Sequence, residues 1–451
     1  MQNYSTNLSM RKILIIGSGK STPYLIKFLL DKAPVEQLEL TVADINTKHI
    51  KQHAKHLKTI PLDVFKINAR QSAIKNSDLV ISMLPASKHM LVAKDCLQLN
   101  KHLLTASYVS PEMKALNKEV KEKGLVFLNE MGLDPGIDHM SAMQHIDEIK
   151  KAGGKINLFK SYTGGLVAPE TETGLWNYKF TWNPRNVVIA GQGGAAKFLQ
   201  DAQYKYIPYQ QLFKRTENIN IQNLNNLEAY ANRDALKYQD AYGLNTIKTL
   251  FRGTLRHQGF CEAWHAFVYL GMTDDSYTID CKNMSYQSFT NLFLPQQDHL
   301  NTSKKLQILL NISQEHPTWQ KLNALNLFSN TKKITLAQAT PAQILEHILK
   351  QSWTLQPTDK DMIIMHHVFG YTINQKEHLK TATLVTYGQD NTYTAMAKTV
   401  GLPLGMAALA ILNKKITTAG VQIPTSKKIY MPVLEALKSY GITFTENTKL
   451  I

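Results

Sequence analysis

The chain has 451 residues, too many for one ordinary compact core, so two or three domains are expected. With 43% hydrophobic and 19% charged residues, it is neither a disordered nor a fibrous sequence. Lys and Arg number 51 against 35 Asp and Glu, a formal charge of +16, but the basic residues are spread out, with no arginine tract and no Cys/His finger, so no nucleic-acid partner is expected. Lysine-rich stretches such as NKEVKEKG (117–124) read as solvated helix faces. Three cysteines, Cys96, Cys261 and Cys281, form no disulfide framework and no zinc spacing, which points to a reducing, cytoplasmic setting. No apolar run approaches the roughly 18–20 residues of a membrane span, so no membrane partner is expected. The opening MQNYSTNLSMRK has no apolar segment before Arg11 and reads as a leader, with Met10 an alternative start, not a signal peptide.

KILII (12–16) has the pattern of a buried strand, Gly17-Ser18-Gly19 that of a tight turn, and TPYLIKFLL (22–30) that of a helix with Pro23 in its first turn. LELTVAD (38–44) is a second strand ending in an acid, and PLDVF is read as a short third. AIKNSDLVISMLP is a helix tail running into a strand that stops at Pro85. Helix 89–100, strand 102–108, the helix PEMKALNKEVKEKG and strand 125–132 follow. Strands alternating with helices at this spacing predict a parallel sheet covered on both faces. The pattern changes at LDPGIDH (133–139). GGKINLFKSYTGGL then reads as an antiparallel-type strand and a glycine turn, and YKFTW, RNVVIAG and TIKTLFRGTL as further strand pieces. Residues 260–350 read as mostly helical, 361–373 and 381–388 as a hairpin. A long apolar helix, expected to break at Gly401–Gly405, and the helix IYMPVLEALKSYG close the chain.

GKST invites comparison with an ATP phosphate loop, but that motif requires a glycine where Leu14 stands, inside a strand. The dinucleotide reading fits better. Gly17 permits the sharp turn, Gly19 lets the backbone approach a pyrophosphate, and the helix start offers N–H groups to it. Thr22 occupies the third glycine position. Gly17, Ser18, Gly19, Lys20, Ser21 and Thr22 are therefore candidate cofactor contacts. Asp44 ends the second strand, where a carboxylate can accept from the adenosine ribose hydroxyls and repel a 2′-phosphate. That favours NAD over NADP; an alternative role is a cap before Asn46 and Thr47. Ligands of this fold bind beyond the strand ends, so Ser82–Ser87 with Leu84 and Pro85, Ser107–Ser110, and Glu130–Asp134 are expected around one cleft. His366-His367 sit on a strand-like run and face opposite sides, and no other His/Glu cluster occurs, so no metal is expected.

ASYVSPEM (106–113), NEMGLDPGIDH (129–139), AGGKINLFKSYTGGLVAPE (152–170), YKFTW (178–182), FRGTLRHQGF (251–260), YGQDNTYTAMAKTVGLP (387–403) and PTSKKIYMPVLE (424–435) resemble the saccharopine dehydrogenase/reductase family, glutamate-forming type, from Arg11 to about Ile442. The resemblance implies an α/β chain with a Rossmann domain over 11–133. It implies a mixed α/β substrate and dimerisation domain over 134–260 and 351–400, a mainly helical insertion over 261–350, and C-terminal helices over 401–451 that return to the first domain. It implies a homodimer and a small anionic amino-acid substrate. The implied reaction oxidises saccharopine with NAD+ and water to glutamate and 2-aminoadipate 6-semialdehyde, in lysine degradation. With NADP the same scaffold would make saccharopine in biosynthesis. A carboxynorspermidine or homospermidine type of C–N reductase and a nucleotide-sensing scaffold are the other readings.

The resemblance carries over individual residues. Arg233 and Arg256 would each grip a substrate carboxylate. Ser107 and Tyr108 would touch cofactor and substrate, Thr254 and Leu255 would line the substrate, and Lys179, Phe180 and Trp182 would meet the nicotinamide side. Thr163 stands where many relatives have cysteine, beside Gly164 and Gly165. Asp134 would hold an amino group or orient water. Asp134, Tyr108 and His139 are the candidates for proton transfer.

Overall fold

A computed structural model describes residues 10–48, 50 and 55–451; the first nine residues of the expected leader lie outside them. The chain divides into two compact units. One comprises the chain up to Ala152 with Thr392–Phe444, the other Gly153–Asn391 with Thr445–Ile451.

The first unit is built on a seven-stranded sheet. Its order is Gly420–Gln422, Val126–Leu128, His102–Thr105, Leu79–Ser82, Arg11–Ile16, Leu38–Asp44 and Leu57–Pro61. Every neighbouring pair is parallel. Strand order reverses at Arg11–Ile16, the arrangement of a doubly wound Rossmann sheet. Residues Ile13 to Ile16 are at most 2% exposed, as expected of a strand covered on both faces. Leu14 lies inside that strand, which confirms that no wide phosphate loop fits there. The third strand is Leu57–Pro61, not PLDVF. Leu62 and Val64 are buried from the loop beyond it, so their apolar character reports core packing instead of a strand. Gly420–Gln422 was not foreseen, because three residues show no period.

Helix Ala395–Leu412 runs unbroken through Gly401, Pro403 and Gly405, where a break was expected. The glycines serve contact with helix Pro23–Glu36. A methyl group at Gly401 would lie 2.7 Å from the backbone nitrogen of Leu25, and one at Gly405 would lie 2.5 Å from the Phe28 ring. This helix is also long and apolar enough to cross a membrane, contrary to the expectation that no such run exists, but it is a core helix, largely buried inside its unit. Helix propensity alone would reward Gly401→Ala by about 1 kcal/mol. The backbone of Leu25 cannot yield, so overpacking of about 1–3 kcal/mol decides the sign. Gly401→Ala is expected to lower the urea midpoint with m unchanged; a raised midpoint refutes the close-contact account.

The second unit is a mixed sheet. Its main path is Thr216–Ile221, Leu224–Ala231, Thr249–His257, Lys155–Val167, Asp361–Ile373, Lys376–Tyr387 and Thr445–Leu450. Thr249–His257 is parallel to Lys155–Val167, and the other pairs are antiparallel. Gly164 and Gly165 make no turn, because the strand continues to Val167. Gly164 is required by close approach: a methyl group there would lie 2.7 Å from Leu255 Cβ. RNVVIAG forms helix Pro184–Val188 instead of a strand, started by the Asn183 cap and by Pro184 in the first turn. YKFTW makes only a bridge from Phe180 to Thr354. Helices Phe260–Leu270, Tyr286–Asn291, Thr302–Leu310, Pro317–Ala324 and Pro341–Trp353 fill the expected helical stretch. His366 and His367 face opposite sides of their strand. One is held by Thr383 Oγ1 at 2.8 Å and the other packs by Phe159.

Candidate functional site

In the first unit the glycine loop has the shape a dinucleotide requires. Gly17 has φ of 101°, and a methyl group there would stand 2.9 Å from the carbonyl carbon and oxygen of Met83. A methyl group at Gly19 would meet nothing within 4 Å, so the turn is open at the position expected to approach phosphate. Thr22 replaces the third glycine without loss of order, since its hydroxyl donates to Gly19 O at 2.7 Å. Lys20 is exposed, Ser21 half-buried, Leu84 partly buried and Pro85 exposed. These residues fit a nucleotide's diphosphate, which Gly17 to Thr22 would hold.

Asp44 is built into the loop. Its Oδ2 accepts from the Ser18 N–H at 2.7 Å and its Oδ1 from the Asn46 N–H at 3.1 Å. It therefore braces the turn, and the described residues after it, 45–48, form no helix for it to cap. Asp44→Ala is expected to weaken NAD and NADP binding alike, by about tenfold, the value of a charge-assisted hydrogen bond. Fluorescence titration with both nucleotides checks this; a loss confined to one of them would restore a discriminating role.

Beyond the strand ends, Tyr108 O–H donates to Asp134 Oδ1 at 2.9 Å, joining two of the three proton-transfer candidates. The third, His139, is fully buried on helix Ile137–Lys151 and bonds Glu130 Oε2 at 2.8 Å. The other oxygen of Glu130 accepts from the Val109 N–H at 2.9 Å. His139 thus ties its helix to Glu130, and Glu130 ties on to the loop at Val109; the His139 ring has no exposed surface. Ser107 is half-buried, and its Oγ lies 2.7 Å from His89 Nε2.

In the second unit, ladder partners put Thr163, Thr254, Tyr230 and Arg256 on one face of the sheet. Leu255 points to the other face, against Gly164; its carbonyl accepts from Arg256 Nη1 at 2.8 Å. Arg256 is 5% exposed and lies over the rings of Tyr178, Tyr230 and Phe260 at 5.1, 5.7 and 5.3 Å. Its Nε has no hydrogen-bond partner, and no carboxylate pairs with it among the described residues. Glu228, opposite it on the ladder, instead accepts from the Cys261 N–H at 2.8 Å. Thr163 Oγ1 is a second buried polar atom without a partner. Arg233 is exposed, in left-handed backbone at φ 53° beyond strand Leu224–Ala231. Lys179 is not open to a cofactor: its Nζ donates to Asp359 Oδ2 at 2.6 Å in a nearly buried pair. The aromatic walls around Arg256 have no signal in the sequence beyond Tyr178 being the first residue of the resembling string YKFTW.

Residues 13–128 match the saccharopine dehydrogenase NADP binding domain, and residues 132–442 match the saccharopine dehydrogenase C-terminal domain. The chain belongs to the saccharopine dehydrogenase family. Over 97% of this chain and 99% of the relative, it is 32% identical to the Schizosaccharomyces pombe protein named saccharopine dehydrogenase [NADP(+), L-glutamate-forming]. It is 34% identical to the Bos taurus alpha-aminoadipic semialdehyde synthase, mitochondrial, over 100% of this chain and 49% of that protein. The chain thus spans about half the length of its mammalian relatives. The apo saccharopine dehydrogenase (L-Glu forming) from Saccharomyces cerevisiae superposes with a TM-score of 0.86 at 30% identity, covering 97% of this chain and 100% of that one.

Two expectations are corrected by these family relations. The preference for NAD is overturned, because fungal saccharopine dehydrogenases at 32% identity are named for NADP(+). The physical reason is that the Asp44 carboxylate is engaged by the loop's own N–H groups, so its presence does not report the 2′ substituent. The cytoplasmic expectation is overturned by the mitochondrial names of the mammalian relatives. Free thiols report a reducing environment and do not say which compartment supplies it.

Proposed function

We propose that this chain is a pyridine-nucleotide oxidoreductase that interconverts saccharopine with glutamate and 2-aminoadipate 6-semialdehyde, with NADP(H) as its nucleotide and saccharopine formation as its working direction. The observation that carries the substrate reading is Arg256. A buried guanidinium whose Nε has no hydrogen-bond partner and which no carboxylate grips directly is costly, since Glu228 acts on it only through space, and an incoming carboxylate relieves that cost. Saccharopine offers three carboxylates. The polyamine precursors of the alternative C–N reductases are more cationic and would leave Arg256 worse placed. NADP(H) is favoured by the names of the fungal relatives and by the matched NADP binding domain.

The nucleotide supplies or accepts a hydride at the C–N carbon when bound. The chain's residues do the rest. Gly17 to Thr22 hold the diphosphate, Arg256 and Arg233 take substrate carboxylates, and Thr163 and Thr254 offer hydroxyls on the same face as Arg256. Tyr108 and Asp134 form the pair that takes a proton from the secondary amine or returns it. A homodimer is part of this reading and is checked by light scattering against the mass of one chain.

Initial rates by nucleotide absorbance test the proposal. They are run in both directions, with NADP+ and NAD+ matched and polyamine precursors beside saccharopine. Turnover of saccharopine preferring NADP+ is expected. Turnover confined to the polyamine precursors, or none from protein that binds nucleotide, would overturn it.

A further inference from the structure

Three residues of the first unit form a hydrogen-bonded chain that ends at Ser107, the candidate cofactor contact, and whose middle member, His89, has no role above. Ser82 is the last residue of strand Leu79–Ser82 and is 1% exposed. Its Oγ lies 2.8 Å from Nδ1 of His89, the first residue of helix His89–Gln98. His89 Nε2 lies 2.7 Å from Ser107 Oγ. Ser82 and Thr105 are ladder partners at the ends of adjacent parallel strands, and Ser107 follows Thr105 by two residues. One imidazole therefore bridges the carboxyl ends of two neighbouring strands, where a doubly wound sheet binds its ligand.

The chain has a closed end and an open end. Ser82 is buried, His89 is 5% exposed, and Ser107 is half-buried. Burial pushes His89 down to about 4, so the ring is neutral near pH 7. A neutral imidazole has one N–H and one lone pair. It donates to one serine and accepts from the other, so the orientation at Ser107 is coupled to that at Ser82. A free serine hydroxyl turns among staggered positions, and this one is held at one.

We propose that His89 is a positioning residue for the pyridine nucleotide, holding the Ser107 hydroxyl in a single orientation through the relay Ser82–His89–Ser107. The inference rests on the nucleotide-dependent reading given above. The relay adds no charge and moves no net proton. It removes a rotational freedom that nucleotide binding would otherwise have to freeze, and it ties the two strand ends to each other.

The test is a double-mutant cycle on the intact chain, read by fluorescence titration of NADPH in the absence of substrate, with melting temperatures alongside. Ser107→Ala and His89→Ala are each expected to raise the NADPH dissociation constant about tenfold, the value of one well-placed hydrogen bond. His89→Ala combined with Ser107→Ala should be no worse than Ser107→Ala alone, because both cut the same relay. Ser82→Ala should raise the constant less, and it too should add nothing to Ser107→Ala. Additive effects, or a His89→Ala protein within twofold of the parent, overturn the inference. Should His89→Ala fail to fold, the pair Ser82→Ala and Ser107→Ala closes the cycle by removing one hydroxyl each. Parent protein that binds no pyridine nucleotide sinks the functional reading itself, whereas binding by the parent with unchanged variants sinks only the relay.

Discussion

Arg256→Ala is expected to cut saccharopine turnover by about 10²–10³-fold while leaving nucleotide affinity within about twofold of the parent. The size follows from the setting. A carboxylate gripped by a buried guanidinium makes a charge-assisted bond in a desolvated place, and removing one partner of such a pair costs about 3–5 kcal/mol. The nucleotide is expected to be unaffected because its diphosphate is assigned to Gly17 to Thr22 and Arg256 to the substrate. Arg256→Lys should recover little. Lysine is a point charge and lacks the flat group that lies over Tyr178, Tyr230 and Phe260. Steady-state rates with saccharopine and NADP+, set against fluorescence titration of NADPH, separate the two effects. Turnover within threefold of the parent would remove Arg256 from the substrate site.

Asp134→Asn is expected to lower kcat by about 10²–10⁴-fold with KM changed only a fewfold, the loss that follows removal of a proton-transfer group. Asparagine keeps the shape and can still accept from Tyr108 O–H, which sits 2.9 Å from Asp134 Oδ1. It cannot take up a proton. Tyr108→Phe removes only the hydrogen-bonded partner, so its effect should be smaller, about tenfold. Pre-steady-state hydride transfer, followed by nucleotide absorbance, shows whether the lost step is chemistry. A kcat within threefold of the parent for Asp134→Asn means that bulk water carries the proton.

Much of the first unit was legible in the sequence. Its central strands, such as Ile13–Ile16 and Leu79–Ser82, are buried throughout, and its glycine loop follows the first of them directly. The cofactor preference was misread because residue type was taken for role. An acid at the end of the second strand suits a ribose, but the Asp44 oxygens reach N–H groups 26 and 2 residues away instead. Lys179 gave no sign of its pairing for the same reason, since its partner Asp359 stands 180 residues further on. Leu255 was named beside Arg256, yet adjacent strand residues point to opposite faces, and a period of two sufficed to separate them.

The sequence by itself determined the parallel α/β start, the site of the glycine turn, the helical stretch after Phe260 and the long hairpin after Asp361. These follow from periodicity and backbone preference, which act between residues a few positions apart. Only the tertiary structure decided which polar groups are already paired. It closed Lys179 on Asp359, buried His139 against Glu130, joined Ser82 to Ser107 through His89, and left Arg256 Nε among aromatic rings without a hydrogen-bond partner. Such pairing depends on distance and burial in space, and a polar side chain carries no mark of its partner in its own stretch of sequence. For that reason a cation open to a ligand and a cation already neutralised are the same letter until the chain is folded.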